Sequence, residues 1–89
     1  MATTMDAHTA TEALALAEGA ASVRDAAALL RARYAPLRVV VVDAFDMREE
    51  TPAASGARCA LYYGSSDGHC WTVTSDPARA AGFFLTEGR

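Results

Sequence analysis

The chain of 89 residues predicts a two-layer α+β fold: an amino-terminal helix or helix pair packed on a three- to four-stranded, mainly antiparallel sheet, in the order α-β-β-β-(short α)-β. Three observations carry this expectation. Residues 9–34 show an apolar stripe at helical spacing, Pro36 is followed by a run of β-branched residues, and two later strand-like runs are bounded by turn residues.

The elements follow in order. Residues 1–8 are small and polar, and are expected to fray as an untethered terminus does. The structured domain then spans 9–89. In the helical segment Ala13, Leu16, Ala20, Val23, Ala27, Leu30 and Tyr34 recur at steps of three and four, while Glu18, Ser22 and Asp25 fall opposite. Gly19 weakens a helix interior by ~1 kcal/mol relative to Ala, and Ser22-Val23-Arg24-Asp25 resembles a capping box. The segment therefore reads as two helices with a bend near 19–21. Pro36 closes it, and "LRVVVVDA" (37–44) reads as a strand apolar on both faces, hence central in its sheet. Residues 46–57 form a polar connection. Strands are expected at 58–64 and 69–75, then a short helical turn with Asp76 as cap, Pro77 at its first position and Gly82 past its end, then a last strand at "FFLT".

"GSSDG" (64–68) matches G-x-S-x-G formally, with His69 behind it. A nucleophile elbow needs a strand-to-helix turn, an orienting acid and an oxyanion hole. Turn geometry explains the same residues: a Ser66-Asp67-Gly68 hairpin loop with Gly68 left-handed. That loop places Tyr63 opposite Trp71, gathers Cys59, Leu61, Tyr63, Trp71 and Val73 on one face, and puts Ala60, Tyr62, Cys70 and Thr72 on the other. Cys59 and Cys70 are then too far apart to bridge, and His69 and Cys70 point to opposite faces.

Composition excludes several classes. The chain has eight arginines and no lysine, with a net charge of -3, and its arginines are scattered. It lacks the basic face that nucleic-acid binding requires. The longest aliphatic run, Val39–Val42, is far short of the ~20 residues of a membrane span, and no basic residue precedes "ALALA" (13–17) as in a signal peptide. The expected location is cytoplasmic, with free thiols. No C-x-x-C or H-x-x-x-H spacing is present, so no cofactor or structural metal is expected.

Two candidate regions remain. Asp43, Asp46 and Glu49, with Glu50 beside them and His69 approaching from across a dimer, are the ligand or metal candidates, although Asp46-Met47-Arg48-Glu49 also has the spacing of a capped turn. Tyr62, Cys70, Trp71 and Val40 are the interface candidates, because one helical layer covers only one sheet face.

The stretches "VVVVDAFDM", "ALYY" and "GHCWTVTSDPARAAGFFL" resemble, over residues 37–86, a family of short bacterial proteins of unassigned function, some encoded near nitrogen-fixation genes. The resemblance implies a strand, an acidic loop, a His-Cys hairpin and an Asp-Pro turn, and brings no catalytic residue with it. The expected role is an accessory or interaction protein, homodimeric through a sheet face. A small-ligand or metal-binding regulatory domain using the 43–50 loop is the alternative, and an enzyme ranks last for want of a nucleophile and base pair.

Overall fold

The computed structural model describes residues 7–87. Of the tract expected to fray, residues 1–6 lie outside the described residues, and His8 is exposed in the first turn of a helix. The helical stripe folds as a pair, α1 (Ala7–Glu18) and α2 (Val23–Arg33), broken where Gly19 stands. Ser22 starts the second helix: its backbone is extended and its Oγ accepts from the Asp25 N–H at 3.1 Å. The buried side of the pair is made largely of alanines, Ala10, Ala13, Ala17, Ala20, Ala26 and Ala27 among them, so the backbones lie close to one another and to the sheet. Leu30 and Tyr34 supply the bulk at the far end.

Five strands follow: β1 (Arg38–Val41), β2 (Ala54–Ser55), β3 (Cys59–Ser66), β4 (Trp71–Thr74) and β5 (Gly82–Glu87). They form one mixed sheet in the order β1-β5-β3-β2, with β4 pairing on β3 beyond β2. Two short 3-10 turns, η1 (Ala44–Met47) and η2 (Pro77–Arg79), are capped by Asp43 and Asp76, whose carboxylates accept from the Phe45 and Ala78 N–H groups at 2.8 and 2.9 Å.

Four details differ from the sequence expectation. The valine strand is not central: β1 is an edge strand paired only with β5, and in parallel, which aligns Val39 with Phe83 on the helix-covered face. Val40 and Val41 stay 38% and 41% exposed. The acidic turn begins earlier than expected, with Asp43 rather than Asp46 as its cap, and the loop that follows contributes β2. Gly82 opens β5 instead of closing η2, whose cap is Ala80.

The fourth difference matters most. The β3-β4 loop has four residues, 67–70, so Ser66 rather than Tyr63 pairs with Trp71, and Tyr63 pairs with Thr74. The Asp67 carboxylate makes the longer turn, accepting from both the His69 and Cys70 N–H groups at 2.9 Å, with Gly68 at φ +98° as the left-handed residue. These bonds hold the Asp67 carboxyl below its usual value, Cys70 N–H contributing most. A shift of three residues is odd, so Trp71 and Val73 move to the face opposite Cys59, Leu61 and Tyr63.

The core therefore lies between the helices and one sheet face. Leu61, Leu85, Phe83, Tyr63, Val39 and Cys59 meet the helix pair there. The Phe83 ring stacks on Tyr63 at 6.3 Å and meets Tyr34 edge-on at 6.1 Å. Glu18, placed by the helical stripe on the outer side, instead clasps helix to sheet. Its Oε2 accepts from the Arg58 and Cys59 N–H groups at 2.9 and 2.8 Å and from Cys59 Sγ at 3.2 Å, and Arg58 donates back to the Glu18 and Ala21 carbonyls. Among the described residues no helix is long and apolar enough to cross a membrane.

Candidate interaction surface

Among the described residues, strand alternation leaves a second face with no α-helix on it. The pairings Val40 with Phe84, Tyr62 with Phe84, and Gly64 with Val73 place Arg38, Val40, Tyr62, Trp71, Val73 and Phe84 together there. Trp71 meets Phe84 edge-on at 6.3 Å, and the Arg38 guanidinium lies over the indole at 5.8 Å. Gly64 makes this possible, because a Cβ there would come within 3.1 Å of Phe84 and 3.2 Å of Trp71. The result is an aromatic and aliphatic patch with one cation at its edge.

The two ends of this face differ in charge. Arg38 starts β1, and among the described residues it has no carboxylate partner. Past the other end of β1 come Asp43, Asp46, Glu49 and Glu50, all exposed, balanced locally only by Arg48, which lies 3.8 Å from Glu49. At ~3.3 Å per residue the Arg38 and Asp43 backbones stand roughly 16 Å apart.

At the acidic end η1 packs back on β5, and Met47 is buried. Between η1, the loop after it and the sheet lies a groove of about 800 Å³, with Tyr62, Thr86 and Ala60 in its floor and Phe45, Met47 and Pro52 among its walls.

The residues singled out by sequence are thus partly assembled. Val40, Tyr62 and Trp71 share the open face, although Tyr62 is only 7% exposed because it lies in the groove. Cys70 is not on a strand but exposed in the hairpin turn, at the basic end. His69 is in the same turn, at the opposite end of the sheet from Asp43, Asp46 and Glu49, so one chain does not bring these four together. Among the described residues no group of three or more His, Cys, Asp or Glu is placed to hold a metal ion. Ser65 and Ser66 sit in a strand-turn-strand hairpin, with Ser66 Oγ accepting from the Gly68 N–H at 3.1 Å, not in an elbow.

Sequence reasoning missed two features. Phe84 and Thr86 belong to the second face, which the alternation in "FFLT" could have shown. The protection of β1 could not have been read: Arg31 Nε and Nη2 donate to the Val39 carbonyl at 3.1 and 2.8 Å, occupying an outward acceptor of the edge strand.

Fold and surface together define a two-layer α+β protein with one open sheet face. No protein-family model matches the chain, and neither does any curated protein or solved structure.

Proposed function

We propose that the protein is a non-enzymatic interaction module that associates with a second copy of itself, face to face, through the open side of its sheet. The single observation that carries this reading is the patch of Val40, Trp71, Val73 and Phe84 on a face that no α-helix covers among the described residues. Contiguous apolar surface of this kind marks interaction sites, and closed two-fold dimers are the commonest homo-oligomers.

Two further features support the mode of pairing. Edge-to-edge growth of the sheet is opposed by Arg31, which holds the Val39 carbonyl. The polarity of the face favours one orientation. A two-fold axis lying in the interface and perpendicular to the strands reverses strand direction, so Arg38 of one copy meets the acidic end of the other; an axis along the strands sets like charges together. Aligned sheets pack in this way at ~30°.

Size sets the strength. Four strands at ~4.8 Å and about five residues at ~3.3 Å give a face of roughly 300 Å² in plan per copy. That is below the ~800 Å² per partner of a standard interface, so the dimer is concentration-dependent. Sedimentation velocity from micromolar to millimolar protein tests it. The expected result is a monomer-dimer equilibrium that Val40→Glu weakens at least about tenfold, the effect of a charge desolvated in an apolar contact. A monomer throughout that range contradicts the proposal.

A further inference from the structure

The groove under η1 contains two groups the fold does not use. Tyr62 is 7% and Thr86 1% exposed, both line the groove, and neither side-chain hydroxyl hydrogen-bonds to another described residue. No buried side-chain oxygen or nitrogen among the described residues lacks a partner, so these two hydroxyls are not sealed in the core but open onto the groove, where they are free to bond to what enters it. The two are diagonal neighbours across β3 and β5, since Ala60 pairs with Thr86 and Tyr62 with Phe84. A single small molecule can reach both.

The lining also states a preference in charge. Glu50 and Glu87 border the groove and have no ion-pair partner among the described residues. Arg48, the one cation in the lining among the described residues, is already engaged: its guanidinium lies 4.0 Å over the Phe45 ring, donates to the Phe45 carbonyl at 2.8 Å and lies 3.8 Å from Glu49. Phe45, Met47, Pro52 and Ala60 supply apolar surface beside these polar groups. About 800 Å³ is within the ~300–1,000 Å³ of small-molecule sites, which combine apolar walls with a few converging polar groups.

We propose that this groove is a binding site for a small organic amine: an apolar body against Met47 and Pro52, an ammonium group held by the Glu50 and Glu87 carboxylates, and hydrogen bonds to the Tyr62 and Thr86 hydroxyls. The site lies at the η1 end of the same sheet face, uses none of Val40, Trp71, Val73 and Phe84, and does not depend on self-association.

The test is a ¹⁵N-¹H NMR titration with three probes of one shape and different charge: 2-phenylethylamine, 2-phenylethanol and 3-phenylpropionate. The amine is expected to saturate with a Kd of about millimolar, appropriate to so few atoms, shifting amides of 44–62 and 86. The alcohol binds more weakly and the carboxylate does not saturate. Tyr62→Phe and Thr86→Val keep the side-chain volume and each lose one hydrogen bond, so each weakens the amine about fivefold; Glu50→Gln weakens the amine but not the alcohol. Unchanged spectra outside the groove establish that the variants fold. No saturable shift with the amine, carboxylate binding as tight as amine binding, or full affinity retained in both hydroxyl variants would overturn the assignment.

Discussion

The two cysteines should differ widely in reactivity, because the fold suppresses the thiolate of one and leaves the other exposed. Cys59 is 2% exposed at the start of β3, and its Sγ donates to Glu18 Oε2 at 3.2 Å. Burial first, then the hydrogen bond to Glu18 and the charge of that carboxylate, push its thiol from 9.0 up to about 12. Only the thiolate is a nucleophile. At pH 8 the rise from 9.0 to about 12 lowers the thiolate fraction of Cys59 about a thousandfold, before access is counted. Cys70 lies exposed in the hairpin turn. Reaction of native protein with excess iodoacetamide at pH 8, followed by mass spectrometry, should therefore give one adduct quickly, on Cys70, and a second only at the rate of unfolding. Cys70→Ser should leave the native protein inert, while Cys59→Ala leaves the fast phase unchanged. Two adducts forming within tenfold of each other in rate would refute the account of Cys59, and with it the Glu18 clasp.

Other consequences follow from the same contacts. Burial, then the hydrogen bond to Glu12, raises Tyr34 to about 12 alongside Cys59, so both groups hold protons in the folded state that the unfolded chain has released. Their contribution is complete below pH 9 and is lost between about pH 9 and 12, so urea midpoints should fall across that window, and less steeply in Cys59→Ala. Glu18, lowered chiefly by its bond from Cys59 Sγ, has the opposite sign: its contribution is present above its ordinary 4.5 and is lost as acid titrates the folded carboxylate. Phe83→Ala removes a ring that is 1% exposed and touches both Tyr34 and Tyr63, and should cost ~3–5 kcal/mol in equilibrium unfolding. A loss below 1 kcal/mol would mean that the helix-sheet core is elsewhere. Arg31→Ala frees the Val39 carbonyl at the sheet edge, and light scattering should then detect more association than in the parent protein at equal concentration.

What could be read from the sequence was local. The helix pair was legible because its signals, the three-and-four spacing, Gly19 and the Ser22 cap, lie within a few residues of what they control. So were Gly68 in its turn and Asp76 before η2. The rest was set by contacts between distant residues. Four valines in a row suggest burial on both sides, but only the parallel partner β5, more than forty residues on, puts Val39 inside and leaves Val40 out. One carboxylate accepting two N–H groups lengthened the hairpin turn and so moved Trp71 to the open face. Glu18 looks like a solvated helix residue until its partners, forty residues away, are in place. The open face was expected from layer counting, whereas the groove was not, because Thr86 acquires its meaning only beside Tyr62 and under η1.

Selective chemistry at Cys70 gives direct access to the central claim, that two sheets meet face to face with their strands reversed. A nitroxide attached to Cys70 marks the basic end of the face. Unlabelled-isotope protein carrying the nitroxide, mixed with ¹⁵N protein lacking it, reports only distances between copies. The account predicts paramagnetic broadening in the partner copy over residues 43–50, at the acidic end. Broadening centred on residues 66–71, or none at concentrations where the protein self-associates, would contradict it.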